Sequence, residues 1–290
     1  MLPEQLEEVL RNPREFRLGD YITGAFDIVK KGMGSFIGFF VLLFGAFILA
    51  YAAILTPVIG MLSHAKDDKE QILAQLPFLG ALFLAFLVAV VVLIMPLMMG
   101  AAIVAHRIKN EQAYTFSTFF DGFKYIGSLL TVTLLLGMLG ILFTMPYLYY
   151  MYNFMGGMEL FSNTEAALKE LPERMQNRSL LLEYALQIPQ YILSTLFVFT
   201  GYLIVFFRLG AIDALRTSAR LVLPKFGWIF IFNMVIGIIA ATTVMLCCVG
   251  LVLGMAFQVS AAYVCFAQQT GLNDTTDIDA DDTTRHFVNL

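Results

Sequence analysis

Charge is the scarcest property of this chain. Of its 290 residues only 14% are Asp, Glu, Lys or Arg, while 59% are hydrophobic and the mean hydropathy is +0.78. Ordinary soluble domains carry about 25% charged and 45–50% apolar residues. Soluble globular, disordered, fibrous and disulfide-scaffold classes are excluded on that ground, and the chain belongs in lipid. Cysteine is almost absent as well. Cys247, Cys248 and Cys265 lie in or beside apolar runs, without CxxC or Cys/His spacing, so they read as small packing residues rather than a disulfide or zinc site. A net charge of −4 argues against nucleic acid as a partner, because phosphate binding needs a basic surface.

What is present is a set of long charge-free runs: Gly32–Ala65, Gln71–Ala105, Tyr125–Met158, Tyr184–Phe207 and Phe226–Asn273. A bilayer core needs about 20 apolar residues per helix, and the last run holds two such lengths, with Cys247-Cys248-Val249-Gly250 as the expected tight turn. The expected architecture is all-α, a six-helix transmembrane bundle with spans Ser35–Met61, Pro77–Ala105, Gly127–Tyr149, Ile188–Phe207, Trp228–Leu246 and Leu251–Phe266. A central charge costs about 3 kcal/mol on insertion, and none of the six has to meet that cost.

Orientation follows from the basic residues between spans. The side holding both termini carries 13 of the 18 Lys and Arg residues, and the opposite loops carry Lys66, Lys69, Lys169, Arg174 and Arg178. Both termini are therefore expected in the cytoplasm. The first 30 residues contain six carboxylates, so no cleavable signal is visible and the first span acts as its own insertion signal.

Each long cytoplasmic segment repeats one pattern. Leu18, Tyr21, Ile22, Ala25, Phe26 and Val29 recur at helical spacing, with Asp20, Thr23, Asp27 and Lys30 opposite. Phe116, Phe119, Phe120 and Phe123 repeat it before the third span, and Ile212, Leu215, Ala219 and Val222 before the fifth. Such spacing marks amphipathic helices. Each ends in a basic residue followed by glycine, at Gly32, Gly127 and Gly227, where a left-handed turn would redirect the chain. The expected organisation is three repeats of an interfacial helix plus a transmembrane hairpin, at residues 18–105, 106–207 and 208–272. A cytoplasmic segment 1–17 precedes them, and an acidic cytoplasmic tail 273–290 follows. The plainer reading is a set of unrelated basic amphipathic linkers. The interfacial faces singled out are Tyr21, Phe26, Phe119, Phe123, Leu215 and Val222, expected to lie apolar side down among lipid headgroups.

The run Ala214-Leu215-Arg216-Thr217-Ser218-Ala219-Arg220-Leu221, followed by Lys225-Phe226-Gly227-Trp228, resembles a segment of bacterial multi-pass membrane proteins. These are uncharacterised relatives of the membrane domain fused to some glycerophosphodiester phosphodiesterases. Met95-Pro96-Leu97-Met98-Met99-Gly100 and Ala105-His106-Arg107-Ile108-Lys109 resemble Bacteroidetes-type members of that group. The resemblance implies a six-helix fold in the bacterial inner membrane and no activity. The phosphodiesterase chemistry resides in a separate soluble domain, for which this chain has no room.

Polar residues inside spans are the default functional candidates in membrane proteins. Here they are mild: Thr131, Thr133, Thr144, Ser194, Asn233, Thr242, Thr243, Gln258 and Ser260. No ionisable group other than Cys and Tyr sits mid-span, and His64, His106 and His286 lie outside the spans, so proton-coupled transport and intramembrane proteolysis lose their usual residues. Asn233 and Gln258 read either as a hydrogen-bonded pair across the last hairpin or as substrate contacts. Pro57, Pro96 and Pro146 mark bends or helix ends. Met95, Met98 and Met99, with Met151, Met155 and Met158, lack an accompanying histidine and read as packing rather than copper ligands. No cofactor or metal is expected.

The one sizeable periplasmic element is the loop 149–187, entered through Tyr147, Tyr149, Tyr150, Tyr152 and Phe154 as an aromatic belt, with a helix start at Asn177 or Ser179. Pro3–Leu10 forms a short helix with Leu2, Leu6, Val9 and Leu10 as its apolar edge, and five aspartates make the tail from Asn273 an acidic tether. The expected function is a non-enzymatic scaffold or accessory subunit of a membrane complex. Its partners are membrane lipids and another protein or a second copy. The alternative is a channel, transporter or flippase for lipid or another apolar substrate.

Overall fold

The structure, a computed structural model, describes residues 3–64, 69–155, 173–176, 179–244 and 247–272. The helices are α1 (Glu4–Arg11), α2 (Leu18–His64), α3 (Lys69–Lys109), α4 (Ile126–Phe154), α5 (Leu180–Leu196), α6 (Thr200–Phe207), α7 (Ala211–Val222), α8 (Phe226–Val244) and α9 (Cys247–Thr270). Tight 3-10 segments precede α4 (Phe116–Tyr125) and α8 (Leu223–Lys225). The described residues contain no strand, and six helical stretches are long and apolar enough to cross a membrane. The all-α, six-span architecture stands as the sequence implied.

The short segments expected on the cytoplasmic side take three different backbone forms. The first is no separate interfacial helix: α2 runs unbroken for 47 residues, about 70 Å at 1.5 Å per residue, more than twice a bilayer core. The second is a 3-10 helix, and the third a true α-helix followed by a proline-containing turn. The glycines expected to redirect the chain do not do so. Gly32, Gly127 and Gly227 lie within helices, and the described residues with positive φ are Glu111, Arg208 and Gly271. Gly32 serves a close approach instead, since a β-carbon there would strike the Ile108 side chain of α3.

Other boundaries move. The fourth span is two helices, α5 and α6, interrupted at Phe197–Phe199. The break frees the Leu196 carbonyl, which accepts a 2.9 Å hydrogen bond from Ser218 Oγ of α7. Cys247–Gly250 is helical, not the expected turn, and the residues joining α8 to α9 lie outside those described. Pro57, Pro96 and Pro146 each sit within a continuous helix. The aromatic belt forms the last turns of α4, and Ser179 caps α5 by accepting from Leu182 N–H, as the sequence suggested. The short N-terminal helix forms as expected, with Leu6 and Val9 buried. Most of the loop 149–187 expected in the periplasm, Leu2, and the acidic tail 273–290 lie outside the described residues.

The helix α9 organises the rest. Of its most apolar stretch 72% is buried, against 11–22% for the corresponding stretches of α2, α3, α4 and α8. A helix that is apolar all round is covered either by protein or by lipid, and α9 is the one covered mostly by protein. Small residues let α2 come close to it: a β-carbon on Gly24 would stand 3.1 Å from Val264, and Ala256, Ser260, Ala261 and Ala267 are buried on α9. The core is confined to one half of the molecule. On α2 it ends at Phe40 and on α3 it begins at Leu97, while Leu42, Ile48, Leu49, Leu84 and Val88 farther along the hairpin are exposed.

The 3-10 segment before α4 lies against α3 almost backbone to backbone. A β-carbon on Gly100 would occupy the place of the Phe119 carbonyl, and one on Gly122 that of the Pro96 carbonyl. Phe119 then stacks on Phe39 at 4.3 Å, which closes α2, α3 and the 3-10 segment into one unit. Gly122→Ala or Gly100→Ala is expected to cost roughly 2 kcal/mol or more, since rigid backbone must move. Gly127→Ala, with nothing within 4 Å, is expected to be neutral or to gain under about 1 kcal/mol. Thermal melting in detergent measures both, and equal shifts would contradict the close approach.

Candidate functional site

Two hydrogen-bonded groups of polar residues lie at the end of the bundle where the core is continuous, here called the closed end, and α9 connects them. Gln269, only 5% exposed, accepts from Lys225 Nζ at 2.7 Å through its Oε1. Its Nε2 donates to the Tyr21 hydroxyl at 2.7 Å and to the Glu15 carbonyl at 3.3 Å. Tyr21 in turn accepts from Arg17 N–H at 3.1 Å and is packed edge-on by Phe16 and Phe232. One amide thus joins the segment before α2, the start of α2, the turn before α8 and the end of α9. A buried amide left unbonded costs several kcal/mol, so each neighbour is held to its place.

A second group lies on another side of α9. His106 of α3 shares a 2.8 Å hydrogen bond between Nδ1 and the Tyr263 hydroxyl, with Tyr263 edge-on and Phe206 tilted against the imidazole. Nearby on the α3 side, Asp121 takes Lys124 at 3.0 Å and Arg107 at 3.8 Å, and Lys31 meets Glu111 at 3.1 Å. These half-exposed pairs contribute at most about 1 kcal/mol each. Among the described residues no three of His, Cys, Asp and Glu gather into one cluster. The arrangement spends its donors and acceptors on one another, and its chemistry is bracing.

The sequence-derived candidates fall unevenly into this picture. Asn233 is half-buried, Gln258 is exposed, and no hydrogen bond joins them. The hairpin register explains why: Thr243 faces Gly254, which places Asn233 level with Val264, more than a turn from Gln258. Of the proposed interfacial faces, Tyr21, Phe119 and Val222 are fully buried, Phe123 and Leu215 half-buried, and Phe26 53% exposed with its ring against Phe257. Most of these side chains enter the protein's own core rather than lipid. On α7 the buried side is Ala214, Thr217, Ser218 and Val222, so the stripe is rotated from the expected Ile212–Leu215–Ala219–Val222 set and Ile212 is exposed.

Thr131, Thr133, Ser194, Thr242 and Thr243 all bond carbonyls one turn back in their own helices, which leaves them no cross-helix role as donors. Met99 packs its sulfur over Gly201, and Cys265 is a buried free thiol, both as packing residues. Sequence reasoning missed Gln269, Tyr263 and Lys225. The signal for Gln269 was present: an amide inside the charge-free run, of the same kind as Gln258.

No family model, curated protein or solved structure matches the chain.

Tyr21→Phe is expected to cost about 1 kcal/mol and Gln269→Leu about 2 kcal/mol, as one and then several hydrogen bonds are lost. In a double-mutant cycle the two should couple by roughly 1 kcal/mol. Strictly additive effects on unfolding in detergent would mean that the amide and the hydroxyl do not bond.

Proposed function

We propose that the protein is a non-enzymatic scaffold or accessory subunit of a bacterial inner-membrane complex. The observation behind it is the contrast between the two halves of the bundle. The closed end is braced by buried hydrogen bonds and a continuous core. Away from it, the α2–α3 and α4–α5 hairpins expose Leu49, Leu84, Leu142 and Ile188, with no third helix contributing core beside these residues among the described ones. Lipid alone gives no association energy between helices, but a rigid base holding bare hairpins offers ready-made faces for van der Waals packing by another membrane protein or a second copy.

Cysteines placed at Leu49 or Leu142, in a chain lacking Cys247, Cys248 and Cys265, are expected to cross-link in native membranes to another polypeptide. A cysteine at Ala105, buried in the core, is not. Free monomer at every position would overturn the reading. The channel, transporter or flippase alternative rests on the same open hairpins and requires lipid or solute flux in proteoliposomes above that of empty vesicles. The scaffold reading expects none.

The excess of basic residues on the side that holds both termini, 13 of the 18, supports a cytoplasmic placement of each. A fluorescent reporter fused after Leu290 is expected to glow and a phosphatase there to stay inactive. A phosphatase inserted after Phe154 is expected to be active, and the reverse pattern would invert the topology.

A further inference from the structure

The outer face of α2 carries charge at the depth of the middle of α9. The ring of Phe26 lies 4.7 Å from that of Phe257, and Gly24 meets Val264. Phe257 stands near the centre of α9, about 15 Å from Cys247 and about 20 Å from Thr270 along the axis. With α9 crossing a bilayer core of about 30 Å, Asp27 and Lys30 fall within that core. Both side chains are exposed.

The two charges differ in how far they can retreat. Lysine can extend its ammonium toward the headgroups along a four-carbon stem, whereas aspartate is too short to do so. An aspartate at the centre of a span costs about 3 kcal/mol on insertion, and such groups are found paired. The ion pairs nearby on α2 do not include it. Arg17 is held by Glu15 at 2.9 Å, Lys31 by Glu111 at 3.1 Å, and among the described residues neither Asp27 nor Lys30 makes an ion pair.

The pattern of the face points to what covers it. Asp27, Lys30 and Gly34 follow one exposed stripe at i, i+3 and i+7. A face with an anion and a cation three residues apart is complementary to itself. If a second copy lies alongside about a two-fold axis along the bilayer normal, Asp27 of each chain meets Lys30 of the other. The axial offset is about 4.5 Å, within the reach of a lysine. Phe26 and Met33, 53% and 44% exposed on one flank, supply apolar contact around the pair. At Gly34 nothing lies within 4 Å of the place a β-carbon would take, which leaves room for the other backbone.

We propose that this face of α2 is the contact of a homodimer, with Asp27 and Lys30 paired reciprocally across the two-fold axis. The face is separate from the bare hairpins of the scaffold reading, so cross-linking at Leu49 or Leu142 can fail while this contact holds.

The full chain, with Cys247, Cys248 and Cys265 replaced by alanine, is oxidised in native membranes. Gly34→Cys is expected to give a disulfide-linked dimer. Met33→Cys, also exposed but about 100° round the helix, should give several-fold less. In the Gly34→Cys chain, Asp27→Lys or Lys30→Asp should each cut the dimer about tenfold, because like charges then oppose. Both reversals in one chain should restore it, which a general disturbance of the fold would not allow. Equal cross-linking from the two cysteine positions, an adduct with another polypeptide in place of the dimer, or single reversals without effect would overturn the proposal. So would ready labelling of Asp27→Cys by a water-soluble maleimide in a chain that stays monomeric, which would place this face in water.

Discussion

A single buried amide sets the geometry of the closed end. Gln269 sits among apolar side chains with its oxygen and nitrogen both engaged, and satisfying it requires Lys225, Tyr21 and the Glu15 carbonyl to arrive together. Those groups come from positions more than 200 residues apart along the chain, |i−j| being 248 and 254 for the two Nε2 bonds. Hydrogen bonds of this kind add little net stability, but the penalty for leaving one unmade is large, so they select one arrangement over near alternatives. The link before α2 and the turn before α8 inherit their positions from that selection. The turn that brings Lys225 to Gln269 also brings Arg220 and Pro224 beside α1.

The second constraint is steric. Gly100 and Gly122 admit backbone against backbone, and Gly24 and Gly32 admit neighbouring side chains against α2. In lipid, where apolar surface gains nothing by leaving one hydrocarbon for another, such contacts carry much of the helix association. Their clustering at one end explains why the core stops at Phe40 and Leu97. Farther along, large side chains such as Leu42, Leu49 and Leu84 are exposed and give α2 and α3 a lipid-like exterior.

The span count was legible because it depends on a property summed over some twenty residues, the absence of charge, which no local contact can disguise. The short amphipathic segments were harder. Phe116, Phe119, Phe120 and Phe123 satisfy an α-helical spacing, yet the segment winds as a 3-10 helix, where residues three apart align and Phe119 and Gly122 share the buried side. Thr217 and Ser218 fall outside the expected apolar stripe, but Ser218 has the Leu196 carbonyl to meet at the break after that residue, and the helix rotates to bring it there. Gly32 carried the right signature for a turn and was needed for clearance instead. In each case the deciding partner lies far away in the chain, and periodicity contains no information about it. Gln258 and Gln269 make the point most sharply, since the two amides are alike in sequence context and only burial separates them.

The register of α2 against α9 bears on how apolarity should be read in this protein. Gly24 meets Val264 and Phe26 meets Phe257, so Asp27 and Lys30, about one and two turns beyond Gly24, lie beside the middle of α9. A helix as apolar as α9 would be taken to face lipid along its whole length, and exposed charges at that level would then be costly. The hydrophobic surface of α9 is covered largely by α2, α3, α6 and α8, while Asp27, Lys30 and Lys31 occupy the outer face of α2. The apolar sequence of α9 is therefore met mainly by protein, and that of α4 and the far halves of α2 and α3 by their surroundings. Hydropathy alone gives these helices one description, and only the second set is left with apolar surface to offer a partner.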